Sequence, residues 1–162
     1  MYRNKSSSMV YKFLNVRNED IFVDYTPTYC PKFYFFYGPL LGPDQLMRVL
    51  HLDERPVTLP ASIETYSYKM WGSYPALIDA KQGSVVRGVA FEVTSKEMET
   101  RLEAEYQQTD MYRKRGTRIY FENGDPSLFG FTFMWKGSED DPELREGSFD
   151  LREWQSKRVV VE

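Results

Sequence analysis

Apolar and polar positions fall in short blocks along most of the chain, and these blocks predict more strands than helices. Phe33 to Tyr37 is an unbroken aromatic run, the pattern of a strand covered on both faces. Gly38–Pro39 ends it. Gly42–Pro43 opens a short helix, because proline at the first helical turn gives up only an N–H that would be unpaired there. Leu46 and Leu50 share a face of that helix, with Val49 beside them. Pro56 and Pro60 mark a loop. Ile63 to Met70 alternates as a strand, Trp71 to Pro75 is a turn, and Ala76 to Ile78 is a short strand. Val85 to Val93 is a further strand, broken at Gly88. Thr94 and Glu97 have capping-box spacing, so a helix begins there with Met98, Leu102 and either Glu105 or Tyr106 on one side. Thr117 to Glu122 and Leu128 to Trp135 are strands around a turn at Asn123–Gly124. Asp125–Pro126 lengthens that loop beyond two residues. Phe131, Phe133 and Trp135 alternate and set an aromatic face against the core. Ser138 to Asp141 is a solvated acidic loop, and Ser148 to Gln155 is a last short helix.

Residues 1–32 lack this patterning. The start is polar and Ser-rich, and Pro27 and Pro31 favour turn or extended chain. They read as a partly flexible N-terminal extension on one compact domain over 33–155, with 156–162 as a C-terminal tail. Many strands with short scattered helices predict an α+β domain with a curled, mixed or antiparallel sheet. A length of 162 residues suits one core rather than two.

Composition narrows the function. Aromatics make up 16% of the chain, enough apolar area for a packed core. One Cys and one His exclude a disulfide framework, a Cys-rich zinc site and a His-rich metal centre. No apolar run reaches the roughly 18 residues of a membrane helix, and no secretory leader core is present. A reduced, cytoplasmic setting follows. The net charge of −3 and the acidic stretch Glu139 to Glu146 speak against nucleic acid as partner.

Three constellations could carry chemistry. At Tyr37–Gly38–Pro39–Leu40–Leu41 a buried strand stops and a helix starts, and backbone N–H groups there could hold an anion. The plain alternative is an ordinary strand–turn–helix joint. In the second, helical spacing sets Glu105 on the apolar stripe between Met98 and Leu102, with Tyr106 flanking it and Gln107 facing away. A desolvated carboxylate has a raised pKa and can serve as a general base; a helix frayed before Glu105 would leave it solvated. In the third, Arg113, Lys114, Arg115 and Arg118 could grip an acidic ligand, but in a strand they alternate between faces and read as a charged edge. His51 reads as a surface or helix-end residue, and Cys30 lies in the poorly patterned extension.

Together these residues resemble the γ-glutamylcyclotransferase-like superfamily, in its AIG2-like branch and most like fungal members. Phe35–Phe36–Tyr37–Gly38–Pro39–Leu40–Leu41 resembles the N-terminal Tyr-Gly-Ser/Thr-Leu motif. Lys69 to Ile78 resembles the Tyr-Pro-Ala segment, through Tyr74–Pro75–Ala76. Val86 to Val93 is similar to the strand entering the catalytic helix. Arg101–Leu102–Glu103–Ala104 and Tyr112–Arg113 bracket the acidic segment, and Gly147 to Trp154 is similar to the fungal C-terminal end. The resemblance implies a small mixed β-barrel with short flanking helices. It implies that an α-amine attacks its own γ-glutamyl amide, giving 5-oxoproline and a free amine without metal or organic cofactor. It implies a small-molecule partner with a γ-glutamyl or similar acidic group, and no nucleic acid or membrane. It gives substrate contacts to Tyr37, Gly38, Pro39, Leu40, Leu41, Tyr74 and Tyr112, and the proton transfer to one glutamate.

Two departures follow from the same comparison. Pro39 stands where the motif has Ser or Thr, which removes an N–H and a hydroxyl. The family's glutamate has three placements here. Counting from Leu102 lands on Tyr106, aligning on the preceding aromatic lands on Gln107, and helix geometry favours Glu105. Two functions therefore stand side by side: a cyclotransferase with Glu105 as base, and an altered or inactive relative that binds a small acidic ligand or carries out another cyclisation or amide cleavage.

Overall fold

A computed structural model describes residues 28–161, with the side chains of the last helix given as far as Lys157. The extension's residues 1–27 lie outside the described residues. The elements in chain order are β1 (Lys32–Phe36), a 3-10 turn (Pro39–Leu41), α1 (Pro43–Leu50), β2 (Leu59–Glu64), β3 (Tyr66–Trp71), β4 (Tyr74–Asp79), β5 (Val85–Val93), α2 (Lys96–Gln107), β6 (Tyr112–Phe121), β7 (Leu128–Trp135), β8 (Leu144–Arg145) and α3 (Leu151–Val161). Five strands close a barrel in the order β1-β5-β2-β6-β7, and β4-β3-β8 form a second sheet. Neighbours in the barrel are antiparallel except β1 and β7, whose parallel contact at Tyr34–Phe131 closes it.

The aromatic run of β1 explains the layering. Successive side chains leave a strand on opposite faces. Phe35 and Tyr37 therefore fill the lumen with Ala61, Ile63, Leu77, Ile119 and Met134. Tyr34 and Phe36 point outward and meet Leu46, Leu50 and Leu102 from α1 and α2. Both faces are dry, as the run of aromatics predicts. Each such ring fully buried contributes roughly 2–3 kcal/mol by removal of apolar surface from water.

Several boundaries differ from the sequence pattern, each for a physical reason. Ile63 to Met70 is not one strand. The chain breaks at Thr65, which takes a left-handed φ of 73°. Its N–H donates to the Ser84 carbonyl at 2.7 Å, and its own carbonyl accepts from Ala80 at 3.0 Å. That corner carries the chain from the barrel into the second sheet. Pro60 lies inside β2, opposite Val89, rather than in a loop. β5 runs unbroken through Gly88, where a Cβ would overlap the Phe36 carbonyl oxygen of the neighbouring strand. Glycine is there for close backbone approach, not to end the strand.

The cap of α2 is Ser95, one residue later than Thr94. Its hydroxyl accepts from the Met98 N–H at 3.1 Å, so Met98 takes the third helical position. β6 starts at Tyr112, five residues before the predicted strand, because the basic run pairs with β7 from Tyr112–Trp135 onward. The last helix begins three residues later than expected and continues past residue 155 to Val161. No described helix is long and apolar enough to cross a membrane.

Candidate functional site

The site is built around the end of β1. Tyr37 is almost fully buried, and its hydroxyl is fixed from two sides: it donates to the Phe133 carbonyl at 2.7 Å and accepts from the Leu77 N–H at 3.1 Å. Gly38 follows against Pro75; a Cβ on it would sit 3.1 Å from the Pro75 ring. The 3-10 turn then closes through Leu41 N–H to Gly38 O at 2.8 Å and Gly42 N–H to Pro39 O at 3.1 Å. Pro39 has no N–H, and the Leu40 N–H lies in the first turn, where no intrahelical acceptor exists. α3 rests on this turn, with Gln155 and Leu151 beside Gly42.

Two aromatic walls enclose the turn. Tyr112, at the start of β6, donates its hydroxyl to the Pro75 carbonyl at 2.8 Å. Its ring stands edge-on to Trp71 and Trp135. Tyr74 is exposed and lies edge-on to Trp154 of α3. The other wall is Tyr106, on the last turn of α2. Its ring stacks on Phe133 with centroids 4.0 Å apart and 11° between planes, and it meets Tyr112 edge-on at 5.5 Å. Among the described residues the Tyr106 hydroxyl has no hydrogen-bond partner.

Electrostatics separate the three placements of the acidic residue. Burial pushes the Tyr37, Tyr106 and Tyr112 phenols well above their ordinary range, and the Tyr106 and Tyr112 hydroxyls add to the shift at Tyr37. Glu105 raises Tyr106 further, so its carboxylate is close by. Glu105 itself is half-buried at the helix edge and accepts from the Gln108 amide at 3.3 Å. It does not lie on the dry face that its spacing suggested. Gln107 is exposed. Of the three, Tyr106 faces the Tyr37 and Tyr112 cluster.

The carboxylate that α2 does bury is Glu99, which the sequence pattern did not single out. It is 2% exposed. Tyr34 donates to it at 2.6 Å, Lys114 at 3.0 Å, Tyr29 at 3.1 Å and Lys32 at 3.3 Å. Burial alone would raise its pKa. The hydrogen bonds from Tyr34 and Lys114 and the lysine charges outweigh that and hold it at about 2. It is therefore an ionised anchor and not a proton carrier near neutral pH. The signal available in the sequence was the spacing of Glu99, Leu102 and Tyr106, three and four residues apart.

The basic run splits as strand geometry requires. Lys114 turns to Glu99 and Glu103, while Arg115 reaches Asp79 from the other face. His51 caps α1 in the left-handed conformation and is exposed. Cys30 is an exposed free thiol. Among the described residues no three His, Cys, Asp or Glu side chains gather where a metal could sit.

This architecture is shared with solved proteins. One Arabidopsis thaliana protein solved in solution superposes with a TM-score of 0.61 at 18% identity, over 85% of this chain and 81% of its own. A second from the same plant gives 0.60 at 23% identity, over 85% and 89%. An AIG2-like protein of Mus musculus gives 0.54 at 20% identity, over 75% and 90%. No curated protein matches by sequence. The class is thus the γ-glutamylcyclotransferase fold. The family model for Gamma-glutamyl cyclotransferase, AIG2-like, matches residues 34–156, and the chain belongs to that family.

Proposed function

We propose that this chain binds a small γ-glutamyl-type acid at the turn after β1, and that a tyrosine rather than a carboxylate faces that ligand. The observation that carries this reading is Tyr106. Its ring is packed on Phe133, its hydroxyl has no hydrogen-bond partner among the described residues, and its pKa is raised by burial. Such a phenol stays protonated near neutral pH. It can donate to a carbonyl or carboxylate oxygen, but it cannot take a proton from an amine.

Ring closure needs that proton transfer. The α-amine nitrogen attacks the γ-carbonyl carbon, the carbonyl oxygen takes up negative charge, and the amine proton must reach the departing nitrogen. Binding needs no such relay. The Leu40 N–H and the Tyr106 hydroxyl would hold the acid, with Pro39, Leu41, Tyr74 and Tyr112 as walls. Tyr37 and Gly38 fix the turn, and Pro39 changes the set of donors. The chain is then a family member with altered or lost 5-oxoproline chemistry. The exposed thiol of Cys30 fits a reducing, cytoplasmic setting.

A second reading has its own support. Glu105 adjoins Tyr106, and among the described residues only the Gln108 amide holds it. A turn of that side chain toward Tyr106 would return a carboxylate to the ligand. The chain would then be an active, cofactor-free γ-glutamylcyclotransferase with Glu105 as base. A turnover assay decides between them. Purified protein is given γ-glutamyl amines, γ-glutamyl amino acids and glutathione, with 5-oxoproline detected by mass spectrometry. Turnover abolished by Glu105→Gln supports the second reading. Silence in the parent, with saturable binding of a γ-glutamyl amide, supports the first.

A further inference from the structure

β2 and β6 pair only at Ala61–Phe121 and Ser62–Tyr120. Beyond that point β2 turns away at Thr65, and the two strands part. A cavity of about 230 Å³ opens in the wedge, bordered by Glu64 and Tyr66 on one side, Asp79, and Arg115, Thr117 and Arg118 on the other. None of these residues belongs to the site around Gly38.

The donors at this wedge are under-used. The Arg115 guanidinium packs 5.9 Å from the centre of the Tyr66 ring. One nitrogen is 3.0 Å from the Met134 sulfur, a weak acceptor, and another is 3.4 Å from Asp79 Oδ1. Arg118 leaves the opposite face of β6 and reaches the Ser127 hydroxyl at 3.3 Å. Thr117 is 7% exposed, and its hydroxyl makes a single 3.5 Å contact with the Arg118 carbonyl. Such distances are at the limit of hydrogen bonding. On the acidic side, the Asp79 carboxylate has only the long contact with Arg115 among the described residues. Glu64 has no ion-pair partner among the described residues.

We propose that this wedge binds a free α-amino acid as its zwitterion. The carboxylate would take the planar fork of Arg115 and the Thr117 hydroxyl, which share one face of β6, and the ammonium would take Asp79 and Glu64. Charge complementarity selects this chemistry. A bare oxyanion in the same space meets two carboxylates, and a bare amine meets the Arg115 guanidinium. A molecule with both charges a few ångströms apart satisfies each side.

The test is calorimetric titration of the full chain with L-alanine, acetate, methylammonium and inorganic phosphate. L-alanine is expected to bind saturably and at least about tenfold more tightly than the other three, because each of those loses one charge pairing. Arg115→Met is expected to weaken L-alanine about tenfold or more, and Asp79→Asn to weaken it while leaving acetate unweakened. Asp79 is exposed, so Asp79→Asn carries the test if Arg115→Met does not fold. No saturable binding of L-alanine would overturn the proposal. So would affinity equal to acetate, a preference for phosphate, or binding indifferent to both substitutions.

Discussion

The Tyr34 hydroxyl donates to Glu99 Oε2 at 2.6 Å, joining β1 to α2 across 65 residues of sequence. Lys114 brings β6 to the same carboxylate at 3.0 Å, and its ammonium lies 4.5 Å from the centre of the Phe131 ring. One buried charge thus ties α2 to two strands of the barrel. Removing one partner of such a group leaves the others unpaired in a dry place. Glu99→Gln is expected to cost about 2–3 kcal/mol, and Tyr34→Phe about 1–2 kcal/mol, because a hydrogen bond to a charged group is lost. Urea unfolding of the three proteins checks both values.

The same carboxylate sets an acid limit. Its folded pKa, about 2, lies below the ordinary value of 4.5. A depressed carboxylate contributes stability that is fully present above pH 4.5 and is lost as pH falls toward 2. The parent should therefore lose stability faster than Glu99→Gln between those values. Unfolding midpoints at a series of acid pH values show this as converging curves. Parallel curves would place the acid sensitivity in other carboxylates.

Gly88 is required by a neighbour's backbone. Any Cβ there overlaps the Phe36 carbonyl oxygen and lies 2.9 Å from the Phe35 ring. Gly88→Ala must push β1 away from β5, at the strand that carries Tyr37. The expected loss is at least about 3 kcal/mol, or no folded protein. Thermal unfolding and expression in soluble form read the result.

Thr65 makes the opposite prediction. A β-branched residue in the left-handed region is strained by about 1–2 kcal/mol, and here two backbone hydrogen bonds hold it in that conformation. Thr65→Gly removes the strain but frees the unfolded chain by about 0.5–1 kcal/mol. The net change should lie between zero and about 1.5 kcal/mol of added stability. Denaturant midpoints at unchanged slope would show it.

What the sequence made legible follows the range of the forces involved. β1 was readable because its two dry faces leave five aromatics in a row, and the α1 face because Leu46 and Leu50 are four residues apart. The turn at Tyr37–Gly38 could be placed for the same local reason. The break at Thr65 was hidden, because alternation continues through Ile63, Glu64 and Tyr66 while the corner depends on Ser84 and Ala80. On α2, helical spacing fits two stripes about equally well. One runs through Met98, Leu102 and Glu105, the other through Glu99, Leu102 and Tyr106. Tyr34, Lys32 and Lys114 select the second, and they come from β1 and β6. Rotation of a helix about its axis is a tertiary quantity.

Tyr106→Glu is the decisive substitution for the proposal that Tyr106 occupies the ligand-facing place of a carboxylate. The assay compares 5-oxoproline formation by the parent, Tyr106→Glu and Tyr106→Phe on γ-glutamyl amides, with unfolding midpoints beside it. Tyr106→Phe should keep the Phe133 stack and shift stability by less than about 0.5 kcal/mol, since its hydroxyl has no hydrogen-bond partner among the described residues. It should still weaken ligand binding. A silent parent and measurable 5-oxoproline from folded Tyr106→Glu are the expected result. Turnover by the parent that Glu105→Gln abolishes and Tyr106→Phe leaves intact would contradict it.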